Sequence, residues 1–364
     1  MATRKQPIKS VTLADVARAA GVAPMTVSRF LNQHPNISEK TARKVSAAIE
    51  RLGYSPNVAA RMLMGQPSNA IGLIVPNLGD PFFAEVAHNI QEIAREHGLL
   101  VWVAASNSNQ ETEFAILRQM RQHCVDGMLL IATPGKLKFE HGNGTPIVLL
   151  DRPVENSGCD VVLVENRRGS MEAVTHLLSH GYKRILCISS DCEKIYTTQE
   201  RIAGYEDAMR SHGLKFEAIL QAETAESIRI YLEQALAGAA PPEAIFTTNN
   251  VTTSHVMEAI QELNLSIPDD MALIGFDDFE LASLLRPSLT VVRQPAADLG
   301  RQAARLLFKR ICSDETLTSI SLLLPATLIL RASCGCPDSR FLSSSVQKTR
   351  IRGIATTIPL PALR

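Results

Sequence analysis

The segment 21–33, GVAPMTVSRFLNQ, concentrates side chains that could grip and read DNA. Arg29 can donate two parallel hydrogen bonds to the O6 and N7 atoms of guanine, and Met25 offers an apolar contact to a thymine methyl group. A plain three-helix bundle with a polar outer face would show similar residues. Three short polar donors nearby suit phosphate oxygens, which fix position and not base sequence: Thr26, Ser28 and Asn32.

A second set of polar residues follows apolar runs of strand length farther along the chain. Carboxylates, amides, an arginine and an aromatic ring suit a hydroxyl-rich small molecule, because they combine paired hydrogen bonds to hydroxyls with a ring face against C–H groups. Each residue could alone serve only as a helix cap. The set comprises Asn77, Asp80, Phe82, Asp151, Arg152, Ser190, Asn249, Asn250, Asp277, Asp278 and Gln294, with Arg201 at or near a helix start.

Three short helices must position the first set. Thr12 and Asp15 have capping-box spacing, Gly21 ends the first helix, Pro24 suits the start of the second, and Ser38 can cap a third. Two short helices joined by a three-residue turn predict a helix-turn-helix, whose second helix enters the major groove. The predicted inward stripes are Leu13, Val16, Ala17 and Ala20, then Val27, Phe30 and Leu31, then Val45, Ala48, Ile49 and Leu52.

Parallel sheets must position the second set. From residue 70, nine apolar runs follow one another, with helix-like segments between several of them. Continuous apolar strands that alternate with helices predict parallel sheets covered on both faces. The two series predict two doubly wound α/β lobes, like those of periplasmic binding proteins, with a ligand held at the carboxyl ends of the strands. The runs are IGLIVPN, LLVWVAAS, GMLLIA, PIVLLD, VVLVEN, RILCISS, EAIFTTNN, MALIGFDD and LTVVRQ.

Charge divides the chain in the same way, although the formal net charge is zero. Residues 1–66 carry 10 Lys and Arg against 3 Asp and Glu, whereas residues 67–336 carry 22 against 33. A basic head on an acidic body fits a polyanion-binding module joined to another function. We expect a head at 1–55, a hinge helix and linker at 56–69, a ligand-binding and dimerisation body at 70–336, and a disordered tail at 337–364.

The seven cysteines are scattered without a C-x-x-C pair, which is typical of a reduced, cytosolic protein. The CGC segment at 334–336 could bind metal, but no second ligand pair lies nearby, so no metal site is expected. No signal-peptide stretch is visible, and no apolar run approaches the ~18 residues of a membrane helix. We therefore expect a cytoplasmic protein with no cofactor and no membrane contact.

Enzyme motifs are also missing from the sequence. There is no G-x-S-x-G, no G-x-G-x-x-G and no P-loop, and the nine histidines form no convincing triad or metal cluster. We therefore predict no catalytic residue. Demonstrable turnover of a ligand would reopen the enzyme hypothesis.

The head closely resembles that of the lac repressor, galactose repressor and purine repressor family of bacterial transcription regulators. The resemblance runs through VTLADVARAAGVAPMTVSRFLN and ISEKTARKVSAAIERLGYSPNVAARML, and resumes in the body with ERIAGY, IPDDMALIGFDD and RPSLTVVRQP. It implies base reading at Pro24, Met25 and Arg29. It also implies a hinge helix that folds on DNA, with Leu63 as a wedge in the minor groove. Flanking contacts are implied for Asn57, Ala60 and Arg61.

For the body, the resemblance implies Arg201, Asn249 and Asp277 as the leading effector ligands, followed by Phe82, Asp151 and Gln294. It implies a homodimer on a palindromic operator in double-stranded DNA, with operator affinity set by a small effector such as a sugar or sugar acid. We expect a repressor. Induction or corepression, a non-sugar effector, and a solute receptor without DNA function stay open as alternatives.

Overall fold

The protein is described by a computed structural model that covers residues 11–31, 34–54, 67–135, 144–190, 195–219, 224–313 and 318–337. The chain divides into two compact units, Met1–Ser68 and Asn69–Arg364. The predicted hinge helix, including Asn57, Ala60, Arg61 and Leu63, lies outside the described residues, as do Asn32 and the tail from residue 338.

The head consists of α1 (Leu13–Ala20), α2 (Pro24–Leu31) and α3 (Glu39–Leu52). The capping box predicted from Thr12 and Asp15 is present, and Gly21 ends α1 with φ of 68°. Ser38 caps α3 by accepting a hydrogen bond from the Thr41 N–H. The predicted inward stripes meet in one core, in which Val16, Val27 and Val45 are fully buried. The helix-turn-helix and its third supporting helix are therefore as predicted.

The body alternates strands and helices. Its first half contains β1 (Ala70–Val75), α4 (Pro81–Glu96), β2 (Leu100–Ala105), α5 (Gln110–Gln122), β3 (Gly127–Leu130), β4 (Ile147–Leu150) and β5 (Asp160–Val164). Its second half contains α6 (Asn166–Ser179), β6 (Ile185–Ile188), α7 (Tyr196–Ser211), β7 (Glu217–Ile219), α8 (Ala225–Leu236), β8 (Ala244–Thr247), α9 (Asn250–Glu262) and β9 (Ala272–Phe276). A short 3-10 helix (Glu280–Ser283), β10 (Thr290–Arg293), α10 (Ala296–Ile311), β11 (Ser321–Leu324) and β12 (Thr327–Ile329) complete it.

The strands form two six-stranded sheets of equivalent strand order, β11-β5-β4-β3-β1-β2 and β12-β10-β9-β8-β6-β7. All pairings are parallel except that of β12 with β10. Strands such as β1 and β9 are buried throughout, as expected for sheets covered on both faces. All nine predicted runs are strands, but β7, β11 and β12 were not predicted. The two doubly wound lobes agree with the predicted fold class.

The chain crosses between the lobes three times. After β5 it enters α6, which packs in the second lobe; after β10 it enters α10, which packs against α4 in the first lobe. The third crossing is 325–326, between β11 and β12. Two crossings touch, because the Glu165 N–H donates to the Leu324 carbonyl at 2.8 Å. Gln294 lies on the crossing between β10 and α10.

Candidate functional site

Helix α2 presents its predicted base-reading residues to solvent. Pro24, Met25 and Arg29 are exposed, and Met25 keeps 65 % of its surface accessible. Met25 and Arg29 are four residues apart, so they share one face of α2. Thr26 and Ser28 are half-buried beside that face. The head therefore offers one apolar and one guanidinium group together, while Asn32 and the four hinge residues lie outside the described residues.

Asp277, Arg201 and Gln294 come together in the second lobe, as predicted. Asp277 follows β9 directly and has φ of 74°, a left-handed backbone that few residues other than glycine adopt and that is concentrated at functional sites. Its carboxylate accepts a hydrogen bond from Gln294 Nε2 and lies 3.5 Å from Arg201 Nη1. All three side chains are buried. The crossing residue Gln294 is thus joined to the end of a strand.

Arg201, near the start of α7, is fixed by several contacts at once. Its Nε donates to Asn166 Oδ1 and its Nη1 to the Thr248 carbonyl, both at 2.7 Å. Its guanidinium also lies 3.8 Å from the centre of the Phe276 ring. Sequence reasoning did not assign Asn166 to the site, although its place at the start of α6, after β5, carried the same strand-end signal. Asn166 orients Arg201 toward Asp277.

Asp151 occupies the equivalent position in the first lobe. It follows β4, as Asp277 follows β9, and it too has a left-handed φ, of 62°. Its Oδ2 lies 3.6 Å from Arg152 Nε, and both side chains are buried. Burial raises the pKa of the Asp151 carboxyl, while the nearby Arg152 and Arg201 charges oppose that rise. Each lobe therefore directs one buried aspartate from the end of its fourth strand.

A cavity of about 540 Å³ opens beside Asp277 and Gln294, whereas Asp151, Arg201 and Asn249 are not among the residues that line it. Phe82 of the first lobe and Asp277 and Gln294 of the second line it, as predicted, and Phe82 is half-buried. Most of the other residues in its wall were not predicted as ligands, among them Phe279 and Arg331. A cavity of this size with one polar side and one aromatic side is typical of a small-molecule site.

The lobes also touch directly, near Asp277 and Arg201. Asn250, at the start of α9, donates from Nδ2 to Asp80 Oδ1 at 3.3 Å, and Asp80 caps α4 by accepting from the Phe82 N–H. Burial raises the pKa of Asp80; the Phe82 bond opposes the rise and the neighbouring Asp277 charge adds to it. Asp80 of the first lobe therefore lies close enough to Asp277 of the second lobe for their charges to interact.

Of the three leading effector candidates, Asn249 is the one least available to a ligand. It caps α9, with its Oδ1 accepting from the Thr252 N–H at 2.7 Å, and its Nδ2 lies 3.4 Å from Ser190 Oγ. It follows Thr248, whose carbonyl accepts from Arg201, so it borders the site. The structure therefore joins Arg201, Asp277 and Gln294 directly and leaves Asn249 at the edge.

The expectation that Cys334 and Cys336 have no second ligand pair nearby is wrong. His176 and His180, at the end of α6, lie against the two cysteines, and the four ligand atoms are all within 4.8 Å of one another. Helix spacing puts the histidines on one face, and the segment after β12 brings the cysteines to that face. The separation of 158 residues along the chain hid this cluster from sequence reasoning.

No helix among the described residues has the length and apolar character needed to cross a membrane.

Comparisons with known proteins agree with this architecture. A family model described as bacterial regulatory proteins, lacI family, matches residues 12–57, and one described as a periplasmic binding protein-like domain matches residues 174–334. The chain is 32 % identical over 332 residues to catabolite control protein A of Priestia megaterium, covering 89 % of this chain and 99 % of that protein.

It is 31 % identical to the ribose operon repressor of Escherichia coli strain K12, covering 88 % of this chain and 99 % of that protein. The crystal structure of the lac repressor dimer bound to operator and the anti-inducer ONPF matches with a TM-score of 0.78 and 26 % identity, covering 90 % of this chain and 99 % of that one. With the exposed recognition helix and the two-lobed cleft, these matches show that the chain belongs to the lacI family of bacterial regulatory proteins, DNA-binding regulators that are not enzymes and carry an effector domain.

Proposed function

We propose that the protein represses transcription as a homodimer on a palindromic operator, and that a neutral, hydroxyl-rich effector such as a sugar controls its operator affinity. Two heads that read a two-fold operator require a protein with two-fold symmetry. The lac repressor dimer, whose fold the chain shares, supports this assembly. The effector closes the cleft and so changes the preference of the hinge segment for DNA.

The observation that carries the effector proposal is a pair of buried acceptors. Among the described residues, Asp151 Oδ1 and Gln294 Oε1 are buried and accept no hydrogen bond. Buried acceptors without donors destabilise a protein, so native structures rarely leave them unpaired. Sugar hydroxyls can donate to such acceptors; Gln294 lines the cavity, and Asp151 follows β4 of the first lobe. A ligand that does so holds the lobes together.

Charge supports a neutral sugar over a sugar acid. The site brings Asp80, Asp151 and Asp277 together with Arg152 and Arg201, so carboxylates outnumber guanidinium groups. An added anion would increase the negative charge of a site that is already shielded from water. Phe82 supplies a ring for the C–H face of the sugar. The ribose operon repressor, a relative over nearly the full chain, is consistent with a ligand of this class.

The test has two stages. Selection of random duplexes by the purified full-length protein should enrich a palindrome, which then serves as the operator. Calorimetry with neutral sugars, sugar acids and purine bases should identify a neutral sugar as the ligand. That ligand and the operator must change each other's affinity by the same factor.

Two results would reject the proposal. Tight binding of a purine base that strengthens operator binding would identify a corepressor-controlled regulator of non-sugar metabolism. Failure to enrich any palindrome, in the presence of every ligand that binds, would favour a solute receptor without DNA function.

A further inference from the structure

We propose that His176, His180, Cys334 and Cys336 bind one Zn²⁺ ion at the edge of the second lobe, well apart in the chain from every effector ligand named above. The two histidines are at the end of α6, in an H-x-x-x-H spacing, and the two cysteines form a C-x-C pair after β12. Two nitrogen and two sulfur ligands are a common set for structural zinc.

The distances fit a tetrahedral ion. His176 Nε2 lies 3.4 Å from the sulfurs of both Cys334 and Cys336, and His180 Nε2 lies 3.3 Å from Cys336 Sγ. The two Nε2 atoms are 3.2 Å apart. Zinc bonds of about 2.0–2.1 Å to nitrogen and about 2.3 Å to sulfur give tetrahedral edges of roughly 3.3–3.8 Å. Four of the six distances between ligand atoms are therefore close to the required spacing, and the other two are within 4.8 Å.

The local backbone is shaped for this convergence. Gly335, between the cysteines, has φ of 95°, and a Cβ there would come within 2.9 Å of Tyr182 Oη. Glycine thus allows the C-x-C turn to fold tightly against the histidine side of α6. Its N–H donates to the Ala332 carbonyl at 3.1 Å, which closes the turn. A larger residue at position 335 would separate the two sulfurs from the imidazoles.

Partners around the ligands fit a thiolate site. Thr290 Oγ1 donates to Cys334 Sγ at 3.2 Å, and such hydrogen bonds to a metal-bound sulfur help to orient it. Two thiolates balance the charge of Zn²⁺ and the two imidazoles are neutral, so the buried Cys334 thiolate leaves no net charge in the lobe core. Soft sulfur ligands exclude Mg²⁺ and Ca²⁺, which prefer oxygen.

The ion would join the end of the described body to α6. It would also restrain the nearby chain segment that contributes to the cavity wall. Arg331, three residues before Cys334, pairs with Asp278 at 2.9 Å and lines the cavity wall. The segment 331–336 therefore connects the metal cluster to the mouth of the effector site. We infer a structural zinc site that stabilises the second lobe.

The first experiment measures metal in the full-length chain, purified under reducing conditions without a histidine tag. Elemental analysis should find about one Zn²⁺ per chain. After chelation, Co²⁺ should restore the visible absorption of tetrahedral cobalt and the sulfur-to-cobalt charge-transfer band. Zn²⁺ should raise the Tm of the chelated protein by about 5 °C or more. Less than a tenth of a zinc per chain after incubation with Zn²⁺, or an octahedral cobalt spectrum, would overturn the proposal.

Variants locate the site. Cys336→Ser and His180→Asn, at the rim of the cluster where Cys336 is half-buried and His180 exposed, should lose the zinc and the cobalt bands while remaining folded by circular dichroism. Cys124→Ser and His212→Asn are matched controls, because Cys124 is exposed and His212, like His180, caps a helix C-terminus. The controls should retain about one zinc per chain. Zinc retained by the rim variants would assign the metal to other residues.

Thiol labelling gives a second readout that does not depend on the folding of any variant. In the zinc-loaded wild type, the half-buried Cys336 should react slowly with a thiol reagent, and chelation should speed its labelling. Peptide mapping identifies the labelled residue, and Cys334, which is fully buried, should react slowly in both states. If chelation leaves the labelling rate of Cys336 unchanged, its sulfur does not bind the ion.

Discussion

Asn250 of the second lobe and Asp80 of the first are joined by a hydrogen bond of 3.3 Å between Nδ2 and Oδ1. Each residue is at the N-terminal end of a helix, so two helix ends face each other across the cleft. Asp277 and Arg201 lie close enough to influence the pKa of Asp80. The contact between the lobes therefore depends on the charge state of the site beneath it.

The first prediction concerns pH. Asp80 has a pKa raised above 3.8 in the folded protein, so the folded state holds its proton more tightly than the unfolded state. The stability that the protonated Asp80 carboxyl contributes is fully present below about pH 4, and it is lost as the pH rises through the raised pKa of Asp80. Asp80→Asn keeps the helix cap but has no proton to lose. Urea unfolding from about pH 4 to pH 7 should show a smaller fall in the free energy of unfolding for the variant.

The control is Asp269→Asn, which changes an exposed aspartate of the same unit. Its stability should follow the wild type across the same pH range. An equal or steeper fall for Asp80→Asn would contradict the raised pKa.

The second prediction concerns the effector. Asp277→Asn removes the charged acceptor while asparagine tolerates the left-handed backbone at this position. Loss of a charge-assisted hydrogen bond should weaken effector binding about tenfold or more. Operator binding without effector should be unchanged, as measured by fluorescence anisotropy. Asp269→Asn again serves as the control, and an undiminished effector response would place the ligand elsewhere.

The third prediction concerns base reading. Arg29→Ala should cost about 1–3 kcal/mol on the selected operator and relax specificity at one base pair. Lys44→Ala removes an exposed positive charge from α3 and is the matched control. It should weaken binding to all sequences alike, if it acts at all. Binding to a series of operator variants decides the matter: a loss for Arg29→Ala that is the same on every duplex would exclude a base contact.

The fourth prediction concerns packing in the second lobe. A Cβ at Gly204 of α7 would lie 2.1 Å from the Arg167 carbonyl oxygen of α6, so the helices must separate to admit it. Gly204→Ala should lower the free energy of unfolding by about 1–3 kcal/mol. Gly238→Ala is the control, since its Cβ would meet the nearest atom at 3.2 Å on an exposed turn. Equal stability of the two variants would show that α6 and α7 adjust freely.

The sequence was most informative where local rules act. Capping at Thr12 and Ser38 and the left-handed glycine at 21 determine the head locally, so its helices could be predicted closely. Asp151 and Asp277 could be placed because each follows a continuous apolar strand, and parallel strands end at the same edge. Strand β7 is only three residues long, and β11 and β12 pair with strands far away in the chain, so periodicity gave no clear signal for them.

The parts that could not be predicted depend on contacts between distant segments. Asn166 orients Arg201 across 35 residues, and Asn250 reaches Asp80 across 170. The histidine–cysteine cluster joins the end of α6 to the end of the described body. No spacing rule links such pairs, because sheet order and helix packing decide which ends meet.

The three crossings between the lobes limit how the effector domain can move. They pass between the same two sheets, and two of them share the hydrogen bond from Glu165 to Leu324. Three connections between the same two sheets oppose sliding and separation of the lobes, so we expect rotation about the crossings to be the easiest relative motion. Gln294 lies on one crossing and donates to Asp277, so a ligand that contacts Asp277 would act directly on a hinge segment.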